Sequence, residues 1–263
     1  RSFLVLSMSG TLLLAGTVYG VYWYFSRDLP QIITPEDYRP TIVTQVYAES
    51  KSQKPQLVAE FLKERRYVVP FEAIPEIVVR AFVAAEDDRF FEHQGIDPVS
   101  ILRAAIVNFR AGHFVQGGST ITQQITKSLL LTPDKNIIRK LKELILSARL
   151  ERYLNKQQIL YLYLNEIYLG HGAYGVEAAA QTYFNKPVAQ LNVAEAALIA
   201  GLPQAPGKYS PFLNSKKAKE RQLYVLRRMQ ETGVINQSQM AEAAAQPLKL
   251  YGERDINRKA APW

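Results

Sequence analysis

The chain has no cysteine in its 263 residues, which excludes thiol catalysis, disulfides and cysteine-based zinc sites. Histidine is scarce as well. The three, at 93, 113 and 171, form no HExxH pattern, so a histidine-held metal is not expected. There is no internal repeat, no low-complexity tract and no long basic run. The net charge of +8 is spread along the chain. Such a modest excess suits an acidic membrane surface or a phosphate-bearing substrate. Basic residues are not interleaved with aromatics along one face, so a nucleic-acid partner is not expected. With 48% hydrophobic and 21% charged residues, the body is expected to be globular.

One further absence is local. From Phe3 to Phe25 there is no charged residue. As a helix this stretch reaches about 35 Å, enough for a bilayer core. Arg1 precedes it, and Tyr19, Tyr22, Trp23, Tyr24 and Phe25 crowd its far end like an aromatic belt. A cleaved signal peptide would be shorter and would end in a small-x-small site, which is missing. The expectation is a retained single-pass anchor over 1–26, with its N-terminus inside and the body outside.

The body reads as mainly α. Residues 27–70 form a proline-containing juxtamembrane linker with short β-prone runs at Thr41–Tyr47, Gln56–Leu62 and Arg65–Val69, expected to make a small sheet. From Pro75 onward the signal is helical. Asp97-Pro98 opens a helix that Gly112 can close. Ser119 can cap one running to about Leu131, and Thr132-Pro133-Asp134 starts the next, to about Tyr153. Asn155 with Gln158 and Asn192 with Glu195 read as capping boxes. Ser215–Thr232 is amphipathic and closed by Gly233, and a short helix over Gln237–Gln246 stops at Pro247.

Five stretches carry chemistry. Glu86-Asp87-Asp88-Arg89-Phe90-Phe91-Glu92-His93-Gln94-Gly95 ends an apolar helix beside two aromatic rings, a setting in which a carboxylate can serve as general base. A solvated helix end is the plain alternative. Gly117-Gly118-Ser119-Thr120-Ile121-Thr122-Gln123-Gln124 joins a flexible turn to a helix N-terminus, where free N–H groups can receive an anion. Thr120, Gln123, Gln124 and Lys127 share one face of that helix. In Lys135–Glu143, Arg139 and Glu143 are four apart and lie opposite an apolar stripe of Ile137, Ile138, Leu141, Leu144, Ile145 and Ala148. That is either a surface ion pair worth about 0.2–0.5 kcal/mol or a carboxylate held by arginine beside cations for a departing diphosphate. Ile159–Gly170 is apolar nearly all round and reads as a buried core helix whose Asn165 needs partners. Ala196–Pro206 reads mainly as scaffold.

Together these stretches, EDDRFFEHQG, GGSTITQQITK, RKLKE, ILYLYLNEIYLG and AALIAGLPQAP, resemble in order and spacing the five motifs of the family 51 glycosyltransferases. These are the peptidoglycan glycosyltransferase domains of class A penicillin-binding proteins, and the body is most like their 1A subgroup. The resemblance covers roughly residues 40–250 and the anchor. It implies a lysozyme-like helical lobe over 71–250 with a small membrane-proximal jaw. Residues 251–263 would begin a linker to a downstream domain. No Ser-x-x-Lys motif of a transpeptidase occurs in this chain.

The resemblance further implies polymerisation of lipid II into β-1,4 glycan strands, with inversion and release of undecaprenyl diphosphate, at the outer face of the bacterial cytoplasmic membrane. Glu86 matches the catalytic base and Glu143 the second family glutamate. Lys127, Arg139 and Lys140 match phosphate-binding cations, joined by Arg103. Asp87, Phe90, His93, Ser119, Thr120, Gln123 and Gln124 match cleft residues. Lys135 stands where the family often has arginine, so a point charge replaces a bidentate fork there. No cofactor is required, although some members use a divalent cation, Mg or Mn, at the diphosphate. The implied partners are lipid II, the growing strand, the bilayer and other cell-wall synthesis proteins. A lytic enzyme on a similar scaffold would instead use one glutamate as general acid, and a membrane-anchored scaffold would need no chemistry.

Overall fold

The computed structural model describes residues 13, 16–17, 19–27, 29–40, 44–48, 56–61, 64–113, 117–131 and 136–251. Among them the chain is mainly helical, as expected. It divides into two compact units: Arg1–Ile33 with His93–Asn155, and Thr34–Glu92 with Lys156–Trp263. Among the described residues no helix is long and apolar enough to cross a membrane. The expected span Phe3–Phe25 lies largely outside them, with residues 19–26 helical.

The larger unit is built around α1, Glu76–Glu86, which begins one residue later than expected because Pro75 serves as its N-cap. Its Val78, Ala81 and Phe82 are wholly buried. Burial of each such side chain contributes about 1.5–3 kcal/mol, and Phe82→Ala would cost about 3–5 kcal/mol. α1 packs on α7 (Val193–Ala200) and α8 (Ser215–Glu231), and α9 (Gln237–Ala245) closes against α8. The Asn192 capping box is present: its side chain accepts from Glu195 N, and Glu195 reaches back to Asn192 N. α5, Lys156–Glu166, is the buried helix its apolar composition calls for. Asn165 has the partners it needs, accepting from Val69 N at 3.0 Å and donating to Val69 O at 3.1 Å. Next to it, Glu166 accepts from Tyr38 Oη at 2.8 Å and pairs closely with Arg66. This network pins residues 38 and 65–69 to the end of α5.

Strands are minor. β1 (Thr44–Ala48) and β2 (Gln56–Phe61) pair antiparallel, near the expected runs. The third run does not join them. β3 shrinks to Arg65–Arg66 and pairs in parallel with β4, Ala173–Tyr174, far along the chain. The helix that follows, α6 (Val176–Phe184), has no counterpart in the expectations above. Its Ala-rich stretch carries no polar face to set a helical period, because it is buried on nearly every side.

In the smaller unit, α2 runs from Pro98 to Ala111, capped by Asp97, whose side chain accepts from Val99 N, and closed by left-handed Gly112. Ala104 is its one fully buried residue. Val99, Leu102, Ile106 and Phe109 lie exposed on it, Phe109 at 89%. α3 (Ile121–Leu130) packs on α4 (Ile137–Tyr153). Their caps correct one expectation. Thr120, not Ser119, caps α3, and Asn136 caps α4. The Thr132-Pro133-Asp134 start and Lys135 lie outside the described residues.

Candidate active site

In the larger unit Glu86 closes α1 as its last residue, with Asp87 as C-cap. Its carboxylate is largely enclosed. The Arg221 guanidinium on α8 approaches Glu86 Oε1 to 3.6 Å, and the two side chains are 11% and 10% exposed. Arg221 is itself held. It donates from Nε to Gly201 O at 3.2 Å and lies over the rings of Tyr224 and Tyr209, at 4.4 and 5.7 Å. Gly201 is needed for that passage, since a Cβ there would lie 2.9 Å from Arg221 Cγ. From α5, fully buried Tyr163 completes the surroundings. Burial, then the charges of Glu86 and Asp87, push its hydroxyl well above the usual phenol range, so it stays protonated and able to donate. Phe90 is fully buried, stacked edge-on with Phe91 and capped by the Lys156 ammonium at 4.3 Å. Asp88 binds Arg228 at 2.6 Å and fixes the turn after Glu86 to α8.

The first motif is cut between the two units, with Glu86 to Glu92 in one and His93 to Gly95 in the other. In the smaller unit His93 is buried and accepts from Gly95 N at 3.2 Å. Gly95, at φ 88°, passes so close to α4 that a Cβ would sit 2.5 Å from Ser147 O. Its carbonyl accepts from Thr120 Oγ1 at 2.7 Å. Thr120 also accepts from Gln123 N, and Gln123 Oε1 accepts from Thr120 N, both at 3.1 Å. Thr120 and Gln123 are therefore buried cap residues, not the open polar face that the wheel placed beside Gln124 and Lys127. Gln123 Nε2 nevertheless has no hydrogen-bond partner among the described residues. Gln124 is half-buried and Lys127 exposed on the last turn of α3.

On α4 the expectation inverts. The buried residues are Glu143, Leu146, Ser147 and Leu150, whereas Ile137 and Ile138 are 81% and 52% exposed. Glu143 is thus not a surface ion-pair partner. It is 3% exposed, with the Lys140 ammonium hydrogen-bonded to Oε1 and Arg139 Nη1 at 3.6 Å from Oε2. Lys140 also donates to Ser119 Oγ at 3.1 Å. Arg139 keeps two buried nitrogens, Nε and Nη1, without a hydrogen-bond partner among the described residues. Buried donors of that kind call for an acceptor. Ser119, Arg139, Lys140 and Glu143 form one cluster, while Arg103 lies on α2, donating to Ser100 Oγ at 3.5 Å. Among the described residues no group of three or more His, Cys, Asp or Glu could hold a metal ion.

Arg221 and Tyr163 were not singled out from the sequence. For Arg221 a signal exists: Ala218, Gln222, Val225 and Met229 mark the buried stripe of α8, and Arg221 sits on its edge, where a cation needs a partner.

A family model described as Transglycosylase matches residues 54–230. The chain is 45% identical over 248 residues to penicillin-binding protein 1A of Escherichia coli (strain K12), covering 94% of this chain and 29% of that protein. It is 49% identical over 227 residues to penicillin-binding protein 1A of Aquifex aeolicus (strain VF5), covering 86% and 31%. The protein of the same name from Rickettsia prowazekii (strain Madrid E) is 44% identical over 254 residues, covering 94% and 32%. The chain thus spans about a third of the length of these relatives.

Proposed function

This chain belongs to the transglycosylase family, and from that premise we propose that it is a peptidoglycan glycosyltransferase that polymerises lipid II into β-1,4 glycan strands. In this reading Glu86 takes the proton from the acceptor sugar's 4-hydroxyl. That oxygen attacks the anomeric carbon of the growing strand, the bond to the diphosphate breaks, and undecaprenyl diphosphate leaves. An α-linked donor gives a β bond by this single displacement. The leaving group is already a stable anion, so it needs cations and not a general acid.

The observation that carries the reading is the cluster on α4: a buried carboxylate orders Lys140 and Arg139, while Arg139 retains buried donors with no acceptor among the described residues. A cluster neutralised by its own glutamate has no use for more donors. One that receives an oxygen-rich dianion does. Glu143 thereby orients cations and does not transfer protons. Lys127, Lys135 and Arg103 would add charge around the diphosphate, and any divalent cation would arrive with it. The reading requires Glu86 and this cluster to act on one substrate.

The exposed apolar residues of α2, with Ile137 and Ile138 of α4, fit a jaw that rests in the headgroup region of a bilayer, as a lipid-tailed substrate demands. The body would face outward from the bacterial inner membrane behind an N-terminal anchor. A lytic enzyme would have no call for the cation cluster. Incubation with lipid II and, separately, with purified glycan strands tests the choice. Strand growth is expected, whereas cleavage without growth would replace this reading by the lytic one.

A further inference from the structure

A hollow on the flank of α1 takes no part in the chemistry above. Its volume is about 840 Å³. The floor is apolar, formed by Ile74, Val79, Val83, Phe91, Leu160 and Val234. Glu72, Glu76, Asp88 and Arg80 stand around it, and all these residues belong to the larger unit. Two of the three carboxylates are engaged, Glu76 with Arg80 and Asp88 with Arg228, each at 2.6 Å. Glu72 is exposed, with no ion-pair partner among the described residues. In a protein of net charge +8, this rim is a local excess of negative charge.

A concave apolar surface of this size with a few polar groups at its edge is built for a ligand. The unmatched charge decides which kind, because it repels an anion and attracts a cation at the edge of the apolar surface. We propose that the hollow is a docking site for an apolar segment of a partner protein bearing a lysine or arginine. The segment's side chains fill the floor and its cation meets Glu72. The site also reaches the reaction centre. Val83 and Ala84 lie three and two residues before Glu86, and Asp88 lies two after it. An occupant braces the turn that carries the base. That last consequence rests on the role of Glu86 proposed above, whereas the binding does not.

The test is fluorescence anisotropy on the full chain with a labelled pentapeptide, Leu-Phe-Lys-Phe-Leu, and its twin with Glu in place of Lys. The lysine peptide is expected to bind about tenfold tighter. Val234→Trp, which fills the hollow, should weaken it about tenfold at an unchanged melting temperature. Glu72→Gln, at an exposed position with no fold to lose, should bring the two peptides within about threefold of each other. Equal affinity for both peptides overturns the proposal. So does lysine-peptide binding that neither substitution moves. Glu86→Gln should leave binding unchanged, so failure of the docking site and failure of the assigned base are separate results.

Discussion

Two glutamates end up enclosed in this protein by opposite routes. Glu86 closes a helix whose inward face is apolar, and the Arg221 guanidinium approaches it to 3.6 Å. Glu143 sits mid-helix on an inward face shared with a serine, is hydrogen-bonded by Lys140 and faces Arg139. In the reading proposed above, the same carboxylate does different work in the two places. There Glu86 accepts a proton, and Arg221 would orient its carboxylate for that. A carboxylate saturated by cations is a poor base but a good means of fixing those cations. The lesson is that burial alone does not assign a role; the proposed roles differ because the neighbours differ, a lysine hydrogen bond at Glu143 and a helix end beside Arg221 at Glu86.

The contrast is broken most directly by Glu86→Gln, which should cost about 10³-fold in kcat, within the range for a lost general base, with the melting temperature unchanged. If strand synthesis persists at the native rate, Glu86 is not the base. Glu143→Gln should cost about 10²-fold in rate and, unlike Glu86→Gln, also destabilise the fold by about 2 kcal/mol in urea titration. The penalty falls below that for fully buried pairs because the Lys140 side chain is 45% exposed. Arg221→Gln sharpens the comparison. It should lower kcat about tenfold with KM for lipid II little changed, and Arg221→Lys should recover part of the loss if charge is what Glu86 needs. On α2, the double substitution Leu102→Asp with Phe109→Asp should weaken sedimentation with liposomes about fivefold while leaving stability intact. The smallest effect is expected at the exposed Glu76–Arg80 pair, where Glu76→Gln should change stability by less than about 0.5 kcal/mol.

Much of the local structure was legible because its causes are local. A capping bond spans three residues, so Asp97 and the Asn192–Glu195 box could be read from adjacent letters. The one-residue error at Ser119 has the same origin. Polar residues adjoin one another before α3, and the packing of Thr120 against Gly95 selects between them. α6 was missed because a helix buried all round leaves no period to detect.

By itself the sequence determined the chemical groups and their order: five motifs, an uncharged N-terminal run, no thiol and three scattered histidines. The tertiary structure decided which side of each helix faces inward, and for α4 it chose the side bearing Glu143 over the more apolar one. It also brought Arg221 to Glu86 across more than a hundred residues of chain. Both decisions depend on surfaces supplied by distant segments, and side-chain periodicity within a helix carries no record of what packs against it.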